Sequence, residues 1–477
     1  MNLELVFGAS ANTRRVRAGI VGAGDFGKSF IVQARRCPGV ELVAVCDRDV
    51  TRAVTVLVSA GFERDSIAVH ESRIQAQSAL EQGKVVVVED PALLVALSLD
   101  VVVEATGDPA TAASTVLSAL EQGRHTVIAT KEAEIVVGPI LARKAAAAGL
   151  VHTLTAGDQP SILVSHIARA RLLGLKVVAA GKSSRDDVVW NPDTGIVTFG
   201  SKSQPAPAYR AAFAPAGWDA AARAVGRKLL EQPRPAVADL CELGVVANHT
   251  DLAPSRPGLH GPIAHALEIP EIFRPRKDGG VFDNADALDV FFCLRRPDEL
   301  SFAGGTFVVV ESPNGDIGQS FADHGLPASR DKRHLMLHCP VHMLGVEAQL
   351  SVMAAARLGL PTGARDVRPR YDMVARTHRD FAAGEKLILG SAYRPGSPHS
   401  DMHAIEGFDP MLLPAEPLRS GGPIPYYLAV GRTLRAPVRS GAMLTCEHVA
   451  LDDDNALLRL RREQDSIFFP ETGGRPA

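Results

Sequence analysis

The chain has 477 residues, 46% of them hydrophobic and 22% charged, and 51 Lys and Arg against 54 Asp and Glu leave a formal net charge of -3. That length calls for several domains, and the near-neutral balance argues against a nucleic-acid partner, which needs a basic excess. No apolar run reaches the ~18 to 20 residues of a membrane helix, and the first residues lack the basic, apolar and small-residue order of a secretory leader.

Six cysteines (Cys37, Cys46, Cys241, Cys293, Cys339 and Cys446) lie far apart with no CxxC pair. They read as reduced thiols, so a cytoplasmic location is expected.

Residues 16–21 are an apolar run with the character of a buried parallel strand. Gly22-Ala23-Gly24-Asp25-Phe26-Gly27 follows at once, and residues 28–36 read as a helix. In this pattern Gly22 makes the tight turn, Gly24 lets backbone approach a pyrophosphate, and Gly27 lets helix and strand pack closely. The helix start offers unpaired N–H groups to phosphate, with Asp25 and Phe26 in that first turn. The glycine spacing alone is weak; the strand before it and the helix after it strengthen it.

Residues 41–46 form the next strand and end in Asp47, twenty residues past Gly27. A carboxylate there accepts the ribose hydroxyls of NAD, or merely caps the following turn. Arg48 and Arg52 are placed to hold a 2′-phosphate instead, so the cofactor is NADP or NAD.

The alternation continues with strands at 84–88, 100–104, 125–129 and 151–155 and helices at 109–122 and 138–148. Residues 66–82 read as an inserted helical segment. Such alternation implies a doubly wound parallel sheet with its ligands at the strand C-terminal edge. Thr106-Gly107-Asp108-Pro109, Thr130-Lys131-Glu132 and Gly157-Asp158-Gln159-Pro160 all stand at that edge. Hydride transfer at a carbon–oxygen bond also moves a proton. Lys131 is this domain's candidate for that task, against the alternative of a solvated lysine at a helix start. Asp158 orients such a lysine or caps a helix.

From 161 to about 365 the pattern is mixed. Residues 177–182 are a strand ending in Gly181-Lys182, and 236–248 a helix that sets Asp239, Glu242 and Asn248 along one side. Two carboxylates one turn apart can hold a lysine, a hydroxyl or a divalent cation, or stand on a solvated face. Strands are expected at 281–292 and 305–311. His260 and His342 read as satisfied structural histidines, and no zinc-type spacing is present.

The glycine turn, Thr130-Lys131, AGDQP (156–160), VVAAGK (177–182), PGLHGP (257–262) and PVHMLGVE (340–347) together resemble one group. It is the homoserine-dehydrogenase-like oxidoreductases with a C-terminal SAF (antifreeze-like) domain, which include the 1-deoxy-D-xylulose 5-phosphate reductoisomerase-like enzymes. The resemblance runs from about 16 to 460. It implies NAD(P) chemistry on a small polar substrate and tilts the cofactor towards NADP. It also strengthens Lys182, Asp239 and Glu242 as site residues. The chain departs from the group at Thr130-Lys131-Glu132-Ala133-Glu134, where the group commonly carries Asn-Val-Glu-Ala-Asp; the lysine is closer to the homoserine dehydrogenases.

After 361 come short strands at 372–376 and 386–389, a proline-rich stretch at 393–403, and strand-like runs at 427–431, 436–442 and 444–451. They resemble the small β-rich SAF module. A helix, then a disordered end from Glu471, completes the tail.

The expected fold is α/β: a Rossmann domain (1–155), an α+β substrate and dimerisation domain (156–365), an SAF-like module (366–451) and a tail (452–477). Gly22, Gly24, Asp25, Phe26, Gly27, Asp47, Arg48, Thr106 and Gly107 are expected to bind the cofactor. Lys131, Lys182, Asp239 and Glu242 are expected to bind substrate and move protons. The expected activity is NAD(P)H-dependent oxidoreduction of a small polar carbonyl or hydroxy compound by a homo-oligomer, with no nucleic-acid or membrane partner. Two alternatives stand beside it: a metal-dependent deoxyxylulose-phosphate-type reductoisomerase, which alone would call for a divalent metal, and a non-catalytic dinucleotide sensor.

Overall fold

The computed structural model describes residues 2–7, 14–207, 209–210, 233–392, 401–451 and 455–470. The prolines around 393–400 and the tail expected from Glu471 lie outside the described residues. Two compact units form, neither contiguous in sequence. One takes residues 1–161, 343–369 and 452–477, the other 162–342 and 370–451.

The first unit is built on seven strands: β1 (Val16–Val21), β2 (Val40–Cys46), β3 (Ile67–Val69), β4 (Val85–Val88), β5 (Val101–Glu104), β6 (His125–Ile128) and β7 (His152–Leu154). Their order is β3-β4-β2-β1-β5-β6-β7, and every pair is parallel. This is a Rossmann-type α/β sheet. A parallel sheet is covered on both faces, so its strands read as unbroken apolar runs; β4 is Val-Val-Val-Val, buried throughout. The chain leaves β1 towards β2 on one side and later fills β5 to β7 on the other. The switch point, where such sheets bind ligands, is therefore at the C-terminal ends of β1 and β5.

The segment at 66–82 is not a single inserted helix. It contains edge strand β3 and then the helix Arg73–Glu81. Three residues, Ile-Ala-Val, are too few to display a strand period, and only pairing with β4 defines them.

The first unit gathers distant sequence. Ala348, Val352 and Met353 pack into the same core as Ile20, Phe30, Leu57 and Val103. The helix Ala456–Phe468 lies against the helices Pro109–Glu121 and Lys131–Ala147. Pro139 lies inside the latter helix. There the Gln464 amide donates to Val136 O (3.0 Å) and accepts from Ile140 N (3.2 Å). Both groups flank the position where a proline disturbs helical hydrogen bonding.

In the second unit the strands are β8 (Val177–Ser183), β9 (Val188–Asn191), β10 (Ile196–Phe199), β11 (Lys202–Pro205), β12 (Ala253–Pro254), β13 (Ile263–Ala264), β14 (Ala287–Arg295), β15 (Thr306–Glu311) and β16 (His334–Cys339). The mixed sheet runs β11-β10-β9-β14-β8-β15-β16, with β12 and β13 also pairing β14. Phe273, Phe282, Phe291 and Phe307 fill one core. The helix Val237–Thr250 is almost wholly buried.

Beyond residue 370, β17 (Tyr371–Thr377) pairs antiparallel with a later strand, Phe408–Pro414, over seven positions. The strand expected at 386–389 is absent; Lys386 makes only an isolated bridge to Thr433. The run at 427–431 is not a strand either: Tyr426–Ala429 is a short helix. Its tyrosines stack edge to face at 5.2 Å and are buried, so packing overrode their strand propensity.

Candidate functional site

The glycine turn sits at the switch point with the backbone its sequence requires. Gly22 has φ +103, and a Cβ there would collide with the Ala105 carbonyl in the loop after β5. A Cβ on Gly27 would collide with the carbonyl oxygen of Gly22, so only glycine allows the helix Asp25–Ala34 to start this close to the strand. Around Gly24 nothing lies within 4 Å of a would-be Cβ. The turn therefore closes where the protein packs on itself and stays open where a pyrophosphate would approach. Asp25 is exposed and Phe26 half-buried in that first helical turn.

Asp47 is buried at the end of β2 and ties the turn together. It accepts hydrogen bonds from Ala23 N (2.7 Å), Asp49 N (2.8 Å) and the Arg52 guanidinium (2.7 Å). Burial would raise its carboxyl, but the hydrogen bonds from Arg52 and the two amides, with the Arg52 charge, hold it below the usual carboxylate range. Arg52, not Arg48, is the arginine that engages it; Arg48 is exposed. Across the switch point, Thr106 donates to Glu104 through its amide (2.8 Å) and hydroxyl (2.5 Å), and Gly107 N donates to Thr130 Oγ1 (3.0 Å). The loops after β5 and β6 are thus joined by hydrogen bonds.

Glu104 is a titratable group the sequence reading passed over as strand. Its side chain is fully buried, and Oε2 has no hydrogen-bond partner. Burial pushes it up to about 7, against the lowering effect of Thr106 and Thr130. Lys131 is half-buried at the first position of the helix Lys131–Ala147. Three residues on, Glu134 pairs with His152 at 2.9 Å inside the same unit. Asp158 receives a hydrogen bond from Gln159 N at the start of the helix Gln159–Leu172.

The second unit assembles Lys182, Asp239 and Glu242. Lys182, at the end of β8, contacts Asp239 at 3.0 Å and forms a close ion pair with Glu242. All three are nearly fully buried. Asp239 also accepts from Ser184 Oγ and Ala236 N, both at 2.8 Å, so it caps the helix start while it holds the lysine. Thr306 lies directly opposite Lys182 in the β8–β15 register. Its hydroxyl is buried without a hydrogen-bond partner. Ser184 and Thr306 escape sequence reading because only strand alternation and cross-strand register bring them to the lysine. Asn248 does not join the trio: it holds the backbone of Arg370 and Tyr371.

On the opposite face of the sheet, Asp289 pairs in register with Gly181. It accepts from His260 N (2.9 Å), contacts His260 Nδ1 at 2.8 Å, and receives the Ser255 hydroxyl. His260 is thus anchored through its backbone and one ring nitrogen.

Asp239 and Glu242 are both committed to Lys182, and among the described residues no group of three His, Cys, Asp or Glu could hold a metal ion. This donor set does not fit a divalent cation. The described cysteines form no disulfide, and burial chiefly pushes the Cys46 and Cys293 thiols up to about 12, which disfavours their thiolate forms. No described helix is long and apolar enough to cross a membrane.

Residues 157–348, under half of the chain, match the family model described as "Oxidoreductase DRL, catalytic domain". The segment that carries Lys182, Asp239 and Glu242 is therefore similar to an oxidoreductase catalytic domain. No protein of curated function matches the sequence. Among solved structures, an oxidoreductase domain protein from Kribbella flavida aligns at 19% identity over 36% of this chain and 43% of its own, TM-score 0.27. An oxidoreductase from Agrobacterium radiobacter, solved with NAD+, L-tartaric acid and magnesium, aligns at 17% over 36% and 45%, TM-score 0.25. A myo-inositol dehydrogenase from Corynebacterium glutamicum aligns at 16% over 38% and 48%, TM-score 0.25. The chain spans less than half the length of each, and a likeness this slight says nothing of substrate or mechanism here.

Proposed function

We propose that the chain is an NAD(P)-dependent oxidoreductase acting on a small polar carbonyl or hydroxy compound. One observation carries this reading: the glycine turn at the switch point is closed at Gly22 and Gly27 and open at Gly24. That is the form a dinucleotide pyrophosphate needs. The similarity of residues 157–348 to an oxidoreductase catalytic domain supports it.

In this reading Gly22, Gly24, Asp25, Phe26 and Gly27 cradle the pyrophosphate, Asp47 with Arg48 and Arg52 meets the ribose, and Thr106 and Gly107 line the other side of the switch point. The nicotinamide, when bound, supplies or accepts the hydride. Reduction of a carbonyl also needs a proton at the developing alkoxide. Lys182 is the proposed source, oriented by Asp239 and Glu242, with Thr306 as a hydroxyl contact and Lys131 as a second cation at the strand edge. A metal-dependent reductoisomerase finds no supporting ligand set in these residues. The resemblance to homoserine-dehydrogenase-like enzymes and the SAF character of residues 370–451 belong to the proposal. So do homo-oligomeric assembly and a cytoplasmic location, with which the lack of disulfides among the described cysteines agrees.

The test is direct. NADH and NADPH titrations followed by fluorescence, then NAD(P)H oxidation against small hydroxy-aldehydes, semialdehydes and sugar phosphates, should show saturable binding and turnover with at least one substrate. Binding without turnover across the panel would favour a dinucleotide sensor. Absence of binding would overturn the proposal.

A further inference from the structure

The N-terminal edge of the parallel sheet, opposite the glycine turn, is strongly basic and concave. A cavity of about 300 Å³ opens there, lined by Arg14, Arg15, Asp100, Arg124, His125 and Arg357, with apolar Val16, Leu99 and Ala356 between them. Arg14 and Arg15 immediately precede β1, Asp100 precedes β5, and His125 begins β6. Arg357 arrives from the returning segment after residue 343, in the same unit. Four guanidinium groups face one carboxylate, so the lining carries a net charge of +3 with His125 neutral. Burial lowers the His125 imidazole, which keeps it neutral near pH 7.

Part of this donor capacity is used inside the fold. Arg14 pairs with Asp100 (2.6 Å), Arg15 holds the Val40 carbonyl, Arg124 donates to Leu97 O (3.0 Å), and Arg357 to Phe7 O and Gly39 O (3.0 and 3.2 Å). The Nε–H groups of Arg124 and Arg357 are buried and have no acceptor. Both arginines are half-buried, and a donor left unmatched on each adds to the uncompensated positive charge that an anion at this edge would balance.

We propose that this cavity binds a small phosphate-bearing anion, at a site separate from the dinucleotide turn. Arginine forks match phosphate oxygens in charge and in geometry. The volume lies at the lower end of small-molecule pockets, enough for a phosphate on a short carbon skeleton and too little for a dinucleotide. The six residues of β1 put roughly 20 Å between this edge and the glycine turn. A bound dianion would tie together the starts of β1, β5 and β6. This inference does not depend on the oxidoreductase reading.

Calorimetric titration of the full chain with inorganic phosphate, at fixed ionic strength, tests it. One phosphate per chain should bind to wild type and equally to Gly24→Ala. Arg14→Ala, an exposed substitution that leaves the core intact, should weaken binding about tenfold, and Arg124→Gln should abolish it. If Arg124→Gln fails to fold by circular dichroism, Arg14→Ala alone decides. Glycerol phosphate run alongside distinguishes the source: tighter binding than phosphate marks a phosphorylated metabolite, weaker binding marks free phosphate. Loss of binding in Gly24→Ala with retention in Arg14→Ala would assign the phosphate to the glycine turn and overturn the proposal. No binding to wild type would do the same.

Discussion

Replacing Lys182 with methionine separates what the lysine does for the fold from what it does for chemistry. Asp239 and Glu242 would remain as buried carboxylates without their cation. Breaking such a group from one side costs about 3 to 5 kcal/mol. Turnover should fall by about 10²-fold or more if Lys182 delivers the proton. The triple variant Lys182→Met, Asp239→Asn, Glu242→Gln should recover much of the stability in denaturant titrations and none of the turnover. Recovery of both would reduce the trio to a structural ion cluster. Lys131→Met should likewise lower turnover while leaving dinucleotide affinity intact, and unchanged turnover would remove Lys131 from the chemistry.

Glu104 gives stability a definite pH dependence. Burial raises its carboxyl from 4.5 to about 7 in the folded chain. A group raised on folding contributes fully below its unfolded value, and that contribution is lost as pH rises through the folded value. The window is therefore pH 4.5 to 7, and the loss across it is about 3 kcal/mol. Glu104→Gln keeps the shape and removes the titration. Thermal unfolding at pH 5 and pH 8 should show the variant gaining on wild type at the higher pH. Parallel pH curves would mean that Glu104 does not titrate in this range.

At the scale of elements, the glycine turn predicts two unequal substitutions. Gly27→Ala places a methyl against the Gly22 carbonyl and must push the helix Asp25–Ala34 away from β1. Gly24→Ala meets open space and should fold normally. Both should weaken dinucleotide binding in the fluorescence titration, but only Gly27→Ala should also lower the melting temperature. Equal melting temperatures would show that the helix can shift at little cost. The hydrogen bonds from Gln464 to the backbone beside Pro139 invite a parallel test. Gln464→Ala leaves those groups unsatisfied and should cost about 1 to 3 kcal/mol in chemical denaturation. A change near zero would mean that other groups take over both bonds.

At the scale of the whole molecule, the chain returns twice to its first unit, through residues 343–369 and the helix Ala456–Phe468. That helix buries Leu457, Leu458 and Leu460 and a buried Arg461–Asp465 pair at 2.7 Å. Ending the chain at residue 451 should therefore destabilise the first unit, read as lower solubility or an earlier melting transition. Full stability without the helix would show that it is an accessory cover.

What the sequence determined by itself was local. A GxGxxG turn between an apolar strand and a helix specifies its own backbone, because Gly22 and Gly27 have no tolerated substitute. Continuous valine runs specify strands that must be covered on both faces, and one turn of helix sets Asp239 beside Glu242. Short or composite pieces were not legible: β3 exists through pairing with β4, and Tyr426–Ala429 is helical through packing. Tertiary structure alone decided which lysine meets those carboxylates, which hydroxyls face it, and that Gln464 reaches a proline 325 positions earlier. The physical reason is that a period of 2 or 3.6 constrains neighbours along the chain. Buried charges and hydrogen-bonding groups are satisfied by whatever the fold brings to them from any distance in sequence.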